Sequence, residues 1–152
     1  MVDHSAYQSM EVPPKPDWSN ADKSQSLAAY SDWLNALARA SFLNDSVHPE
    51  KFFFISEDGA VSACQFREGL DRAKKNTVVL QEAQRIKPFG TIHVRIVDAA
   101  PISSSKTISG SSQKCLWLTM ESRLGDARNL VNPINLGPEG VLLGDTVVVH
   151  EA

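Results

Sequence analysis

Apolar residues recur at three- and four-residue spacing over one long stretch of the chain. Between Ser19 and Leu43, the residues Leu27, Tyr30, Leu34, Leu37 and Ser41 share one side of a helix, and Trp33 and Ala40 widen the stripe. Ser19 or Asn20 offers the N-cap, with Asp22 in the first turn, where the helix dipole favours a carboxylate. An apolar face this broad must be covered, and a sheet from the same chain is the economical cover.

Beyond this helix the period shortens to two. "KFFFIS" (51–56) is short, aromatic and apolar, as a buried strand is, and "EDG" separates it from the alternating "AVSACQF" (60–66). Asp-Gly between two apolar runs signals a hairpin. A helix from Gly59 through "AVSACQFREGLDRAKKN" competes with it; the hairpin is preferred, followed by a short helix at "REGLDRAKK" (67–75). "TVVLQEAQRI" and "TIHVRIVDA" flank "KPFG", so "RIKPFGTIHVRI" (85–96) reads as a second hairpin with Phe89 at its tip. Its outgoing strand sets Ile92, Val94 and Ile96 on one face and His93, Arg95 and Val97 on the other, the pattern of a sheet covered on one side. "KCLWLTME" alternates likewise, with Cys115, Trp117 and Thr119 opposite Leu116, Leu118 and Met120. "RLGDARNLVNPINLGPEG" (123–140), rich in Asn, Pro and Gly, reads as irregular connection. "VLLGDTVVVHEA" supplies a turn at Gly144–Asp145 and a closing strand.

These elements predict an α+β domain: a mostly antiparallel sheet of about five to six strands, packed against one long N-terminal amphipathic helix, with a short second helix. Residues 1–18, with Pro13, Pro14 and Pro16 and no periodicity, are expected to be an extended or disordered arm, with Met10, Val12 and Trp18 as docking points. Residues 19–152 form the single domain, and "PISSSKTISGSSQ" (101–113) is a long Ser-rich loop of the kind that often carries function.

Composition adds exclusions. At 42% hydrophobic and 22% charged, the chain of 152 residues is that of a globular domain able to bury its own core. No apolar run approaches the roughly 18 residues of a membrane span, so no membrane partner is expected. The N-terminus lacks the basic and apolar regions of a signal peptide, which places the expectation in the cytoplasm. Cys64 and Cys115 belong to no C-x-x-C pair and read as reduced, mostly buried thiols. His4, His48, His93 and His150 are too scattered for a structural zinc site, and phosphate-loop, dinucleotide and nucleophile-elbow motifs are missing. Neither a metal nor a cofactor is expected.

A catalytic grouping can be assembled from His93, Asp98 and Cys115, with His150 and Glu151 at the other end of the chain. Five positions separate His93 from Asp98, however, so a regular strand points them to opposite sides. No catalytic residue is assigned.

Charge is placed unevenly. Residues 1–64 carry four basic and nine acidic side chains, residues 65–115 carry nine and four, and residues 116–152 carry two and five. The positive middle contains the 85–96 segment and the Ser-rich loop. The expected function is therefore a non-catalytic binding protein, a regulator, inhibitor or assembly component, that meets a protein partner. Its contacts would be Arg85, Lys87, Phe89, His93 and Arg95 on the hairpin and Lys106 and Lys114 on the loop. One alternative is a single-stranded nucleic-acid module on the same surface, with Phe89 stacking on a base, although the net charge of −3 opposes it. Another is a small enzyme or ligand-binding domain with a pocket between helix and sheet, lined by Trp33, Phe52, Phe54 and Trp117. If acidic and basic segments instead pair within the fold, the charge split cancels.

Overall fold

The long amphipathic stretch folds as helix α1, Lys23–Asp45, in a computed structural model that describes residues 14–45, 50–66, 69–99, 113–137 and 140–149. The cap is Asp22 rather than Ser19 or Asn20: its carboxylate accepts the Gln25 N–H at 3.0 Å, and the Ser26 N–H bonds its carbonyl at 3.1 Å. The buried stripe runs Leu27, Tyr30, Leu34, Ala38 and Phe42, rotated slightly from the one expected, so that Leu37 is only partly covered.

Among the described residues seven strands follow in an antiparallel sheet: β1 Lys51–Ile55, β2 Val61–Gln65, β3 Gly90–Ala99, β4 Gln113–Ser122, β5 Ala127–Gly137, β6 Gly140–Leu143 and β7 Val147–Val149. Their order is β2-β1-β3-β4-β5-β6, with β7 also against β5. The Asp58-Gly59 hairpin joins β1 to β2, with Gly59 at φ +88. β2 and β3 flank β1, and the chain passes between them through helix α2, Arg72–Ile86.

Helix α2 corrects two expectations. The short helix expected at 67–75 lies further on, and residues 77–86 are helical rather than the first arm of a hairpin. Asp71 caps it by accepting the Lys74 N–H at 2.8 Å, and Lys87 ends it in the left-handed region at φ 52. The side facing the sheet is marked by Lys75, Val78, Val79, Glu82, Ala83 and Ile86, the partly covered positions of the helix. That is a helical stripe, but two of its members are charged, and β-branched Thr77, Val78 and Val79 imitate a strand. Pro88 and Phe89 are thus the link from a helix end to β3. The basic hairpin does not form.

β5 is a further correction, since the composition of 123–140 points to irregular connection. Its Asn residues serve side-chain bonds rather than turns. Asn132, fully buried, donates to the Leu116 carbonyl at 2.9 Å and to Asn35 Oδ1 at 2.8 Å, while its own Oδ1 accepts from Arg39 at 3.0 Å and Thr146 at 2.7 Å. Along the outer side of β5, β6 and β7 are two parts of one path. Leu143 pairs with Ile134 and Val147 with Val131, so residues 144–146 stand opposite only Asn132 and Pro133. This bulge follows from Pro133, which has no N–H to give; its carbonyl takes the Gly144 N–H at 2.8 Å.

The core lies between α1 and the sheet, where Ile92, Val94, Leu116, Leu118, Met120 and Leu130 meet the helix, in keeping with the alternation of β3 and β4. Phe89 joins them at 1% exposure. Trp18, expected in the arm, packs here too. Its ring meets Tyr30 at 5.2 Å and Phe89 at 5.9 Å, and its Nε1 donates to the Glu57 carbonyl at 3.1 Å. Met10 and Val12 lie outside the described residues. Among the described residues no helix is long and apolar enough to cross a membrane.

Gly59 carries the test of this arrangement. Its positive φ strains any side chain, and an added Cβ would collide with the Trp18 ring. Gly59→Ala should therefore destabilise by about 2 kcal/mol or more, read from the denaturation midpoint. Asn132→Ala, which removes one partner from each of Asn35, Arg39, Thr146 and the Leu116 carbonyl, should cost roughly 1–3 kcal/mol in the same assay.

Candidate functional site

Because α1 takes one face of the sheet, the other face must be covered by α2 or stay open. α2 is shorter and contacts β1, and none of its residues is buried. The outer face of β3 and β4 is left beside it as a cleft. A hollow of about 400 Å³ lies between helix and sheet, lined by Glu50, Phe52, Phe66, Arg72, Lys75 and Val79 together with His93, Arg95 and Val97. A shallower recess of about 210 Å³ adjoins it and shares Phe52, His93 and Arg95, adding Thr91, Thr119 and Glu121.

Glu50, just before β1, is the junction. It accepts from Lys75 Nζ of α2 at 2.5 Å with Oε1 and meets His93 Nε2 of β3 at 2.5 Å with Oε2. Burial alone would raise the Glu50 carboxyl, but the hydrogen bonds from Lys75 and His93, with their charge, hold it below the ordinary carboxylate range. Burial pushes the His93 imidazole down, and Glu50 offsets this only in part. A neutral imidazole beside a carboxylate carries its proton on Nε2, leaving Nδ1 as an acceptor. Among the described residues Nδ1 has no hydrogen-bond partner. The Phe52 ring lies 5.2 Å from the imidazole and fixes its plane.

Arg95 is held from the other side. Its Nη1 donates to Thr119 Oγ1 at 2.7 Å, Thr119 donates to Asn129 Oδ1 at 2.9 Å, and Trp117 Nε1 donates to the same oxygen at 3.0 Å. The guanidinium also lies over the Trp117 ring at 5.9 Å. Burial lowers its hold on the proton, with Glu50 offsetting part, and an arginine still stays charged. It forms no ion pair among the described residues, and its Nε and Nη2 are uncommitted.

The residues singled out from the sequence separate accordingly. His93 and Arg95 share the cleft. Arg85 is exposed on α2 and pairs with Glu82 at 2.6 Å, and Lys87 is the exposed helix cap. Phe89 is buried in the core, so it is no stacking tip. Lys114 pairs with Asp98 at 3.2 Å on the surface, and Lys106 and the Ser-rich loop lie outside the described residues. Of the aromatic residues expected around one pocket, Phe52 lines the cleft, Trp117 sits under Arg95, Phe54 is buried, and Trp33 lies on the α1 side. That side has its own apolar groove of about 370 Å³, bounded by Trp33, Leu37, Phe53 and Val61. Cys115 is buried with its thiol raised by burial, far from a thiolate nucleophile, and neither cysteine is in a disulfide. His4, His48 and His150 lie outside the described residues. Among the described residues no group of three His, Cys, Asp or Glu side chains is placed to hold a metal. Sequence patterning gives no sign of Glu50, Lys75, Thr119 and Asn129; long-range pairing brings them in, and Glu50 is 43 positions from His93.

Comparison of the chain with protein-family models, curated proteins and solved structures gives no match.

The dyad predicts a pH dependence. His93 titrates below its unfolded value of about 6.5, so the unfolded chain takes up the proton first as pH falls. Its stabilisation is complete above that value and is lost as pH drops toward the folded pKa, and that of Glu50 follows at lower pH. Melting temperature should fall from pH 7.5 to 5.5, and less steeply in His93→Gln. Identical slopes would remove His93 from the account.

Proposed function

We propose that this protein is a ligand-binding domain that takes a small organic anion, a monocarboxylate, into the cleft between α2 and the open face of the sheet. The carrying observation is Arg95: a half-buried guanidinium, aimed by Thr119 and stacked near Trp117, in no ion pair among the described residues and with Nε and Nη2 free. A partly buried cation without a paired counter-ion is costly, and a ligand carboxylate bound to that fork removes the cost. Arg72 adds positive charge at the rim, while Lys75 is already matched by Glu50. Glu50 and Glu121 in the same cleft disfavour a second negative charge on the ligand, which favours a carboxylate over a phosphate. Phe52, Phe66 and Val79 offer an apolar wall, and a volume of about 400 Å³ suits a small molecule. The positive middle segment thus finds a use inside the fold rather than on a docking surface.

Titration calorimetry with benzoate and with phenyl phosphate tests this reading. Benzoate should bind and raise the melting temperature, phenyl phosphate should bind more weakly, and Arg95→Gln should weaken benzoate at least tenfold, for about 1.5–3 kcal/mol of charged hydrogen bonding. Benzoate binding that is indifferent to Arg95→Gln in a folded protein would overturn it.

A further inference from the structure

On the sheet side of the cleft two side chains, Arg95 and His93, have polar atoms left unused, and together they describe a ligand. Arg95 Nε and Nη2 are donors. With Glu50 Oε1 bonded to Lys75 and Oε2 to His93, the acceptor of the dyad that has no hydrogen bond among the described residues is His93 Nδ1. His93 is positioned to use it, since the same ring borders both the deeper hollow and the adjoining recess. Its orientation is fixed from two sides, by the Glu50 carboxylate and by the Phe52 ring. His93 is partly buried, so its acceptor is better served by a donor on a bound ligand than by a ligand that covers it without one.

Resting on the anion-binding reading above, we propose that the ligand is an aromatic monocarboxylate that carries a hydroxyl (or equivalent N–H) donor away from its carboxyl group. The carboxylate takes the Arg95 fork, the ring lies against Phe52, Phe66 and Val79, and the hydroxyl donates to His93 Nδ1. His93 and Arg95 share one strand face, and Arg95 Nη1 lies 3.4 Å from the His93 carbonyl, so the two side chains border the same short stretch of the cleft. A carboxyl and a hydroxyl carried on one six-membered ring can meet two such neighbouring groups. The Glu50 carboxylate gives His93 its role as a pure acceptor: by accepting the Nε2 proton it fixes the tautomer.

Calorimetry on the full chain with 3- and 4-hydroxybenzoate, each against the methylbenzoate of matching shape, reads the hydrogen bond directly. At least one hydroxyl isomer should bind roughly tenfold more tightly than its methyl counterpart. His93→Ala should abolish that ratio. His93→Gln, whose amide can donate to Glu50 and still offer an oxygen, should retain part of it. If benzoate binds in an Arg95-dependent way but the hydroxyl brings no gain, the ligand class proposed here is wrong and the anion site stands. The proposal fails in the same way, with the anion site intact, if the gain survives His93→Ala and is lost in Glu121→Gln. If no aromatic carboxylate binds at all, both readings fall.

Discussion

Helix α2 meets the sheet through a thinly covered apolar stripe, Val78, Val79, Ala83 and Ile86, together with one ion pair. Lys75 reaches Glu50 across the gap, and none of the helix's residues is buried. A charged pair needs room for its own hydrogen bonds and resists being squeezed dry, so helix and sheet stay apart and a hollow persists between them. Glu50 then has a second oxygen to offer, and His93 takes it. One carboxylate thus joins helix α2 to β3 and fixes the imidazole tautomer.

The two faces of the sheet obey different constraints. Under α1 polar groups are tolerated only when satisfied: Asn132 engages Asn35, Arg39, Thr146 and the Leu116 carbonyl, and Tyr30 donates to the Gly59 carbonyl at 3.0 Å. That network ties α1 to β4, β5 and the bulge in one unit. On the opposite face the network runs Arg95–Thr119–Asn129–Trp117 and ends with donor capacity unused. Rigid support on one side and unfinished bonding on the other is the contrast on which the proposed ligand site rests.

Much of the framework is legible in the sequence because its signals are strong and local. The stripe of α1, the Asp58-Gly59 turn and the alternation in β3 and β4 each depend on neighbours a few residues away. α2 imitates a strand because Lys75 and Glu82 dilute its stripe and Thr77, Val78 and Val79 favour extended backbone on their own. β5 is hidden because Asn and Pro weigh toward turns, and the side-chain partners of Asn129 and Asn132 meet them only after distant elements come together. For the site, alternation puts His93 and Arg95 on the polar face, where the fold has them. Counting charge along the chain does not tell Arg95, lodged in a cleft, from Arg85, paired on a helix surface.

The broken path of β6 and β7 beside β5 has a bearing on how the molecule behaves in a crowded solution. A long, flat, unpaired strand invites a second chain to add to it, and Val147 and Val148 are exposed along this margin. The three residues opposite Asn132 and Pro133 shift the hydrogen-bonding register, so an incoming strand that matched β7 would be out of step along β6. By interrupting the ladder, Pro133 makes this margin a poorer template for strand addition than an unbroken strand.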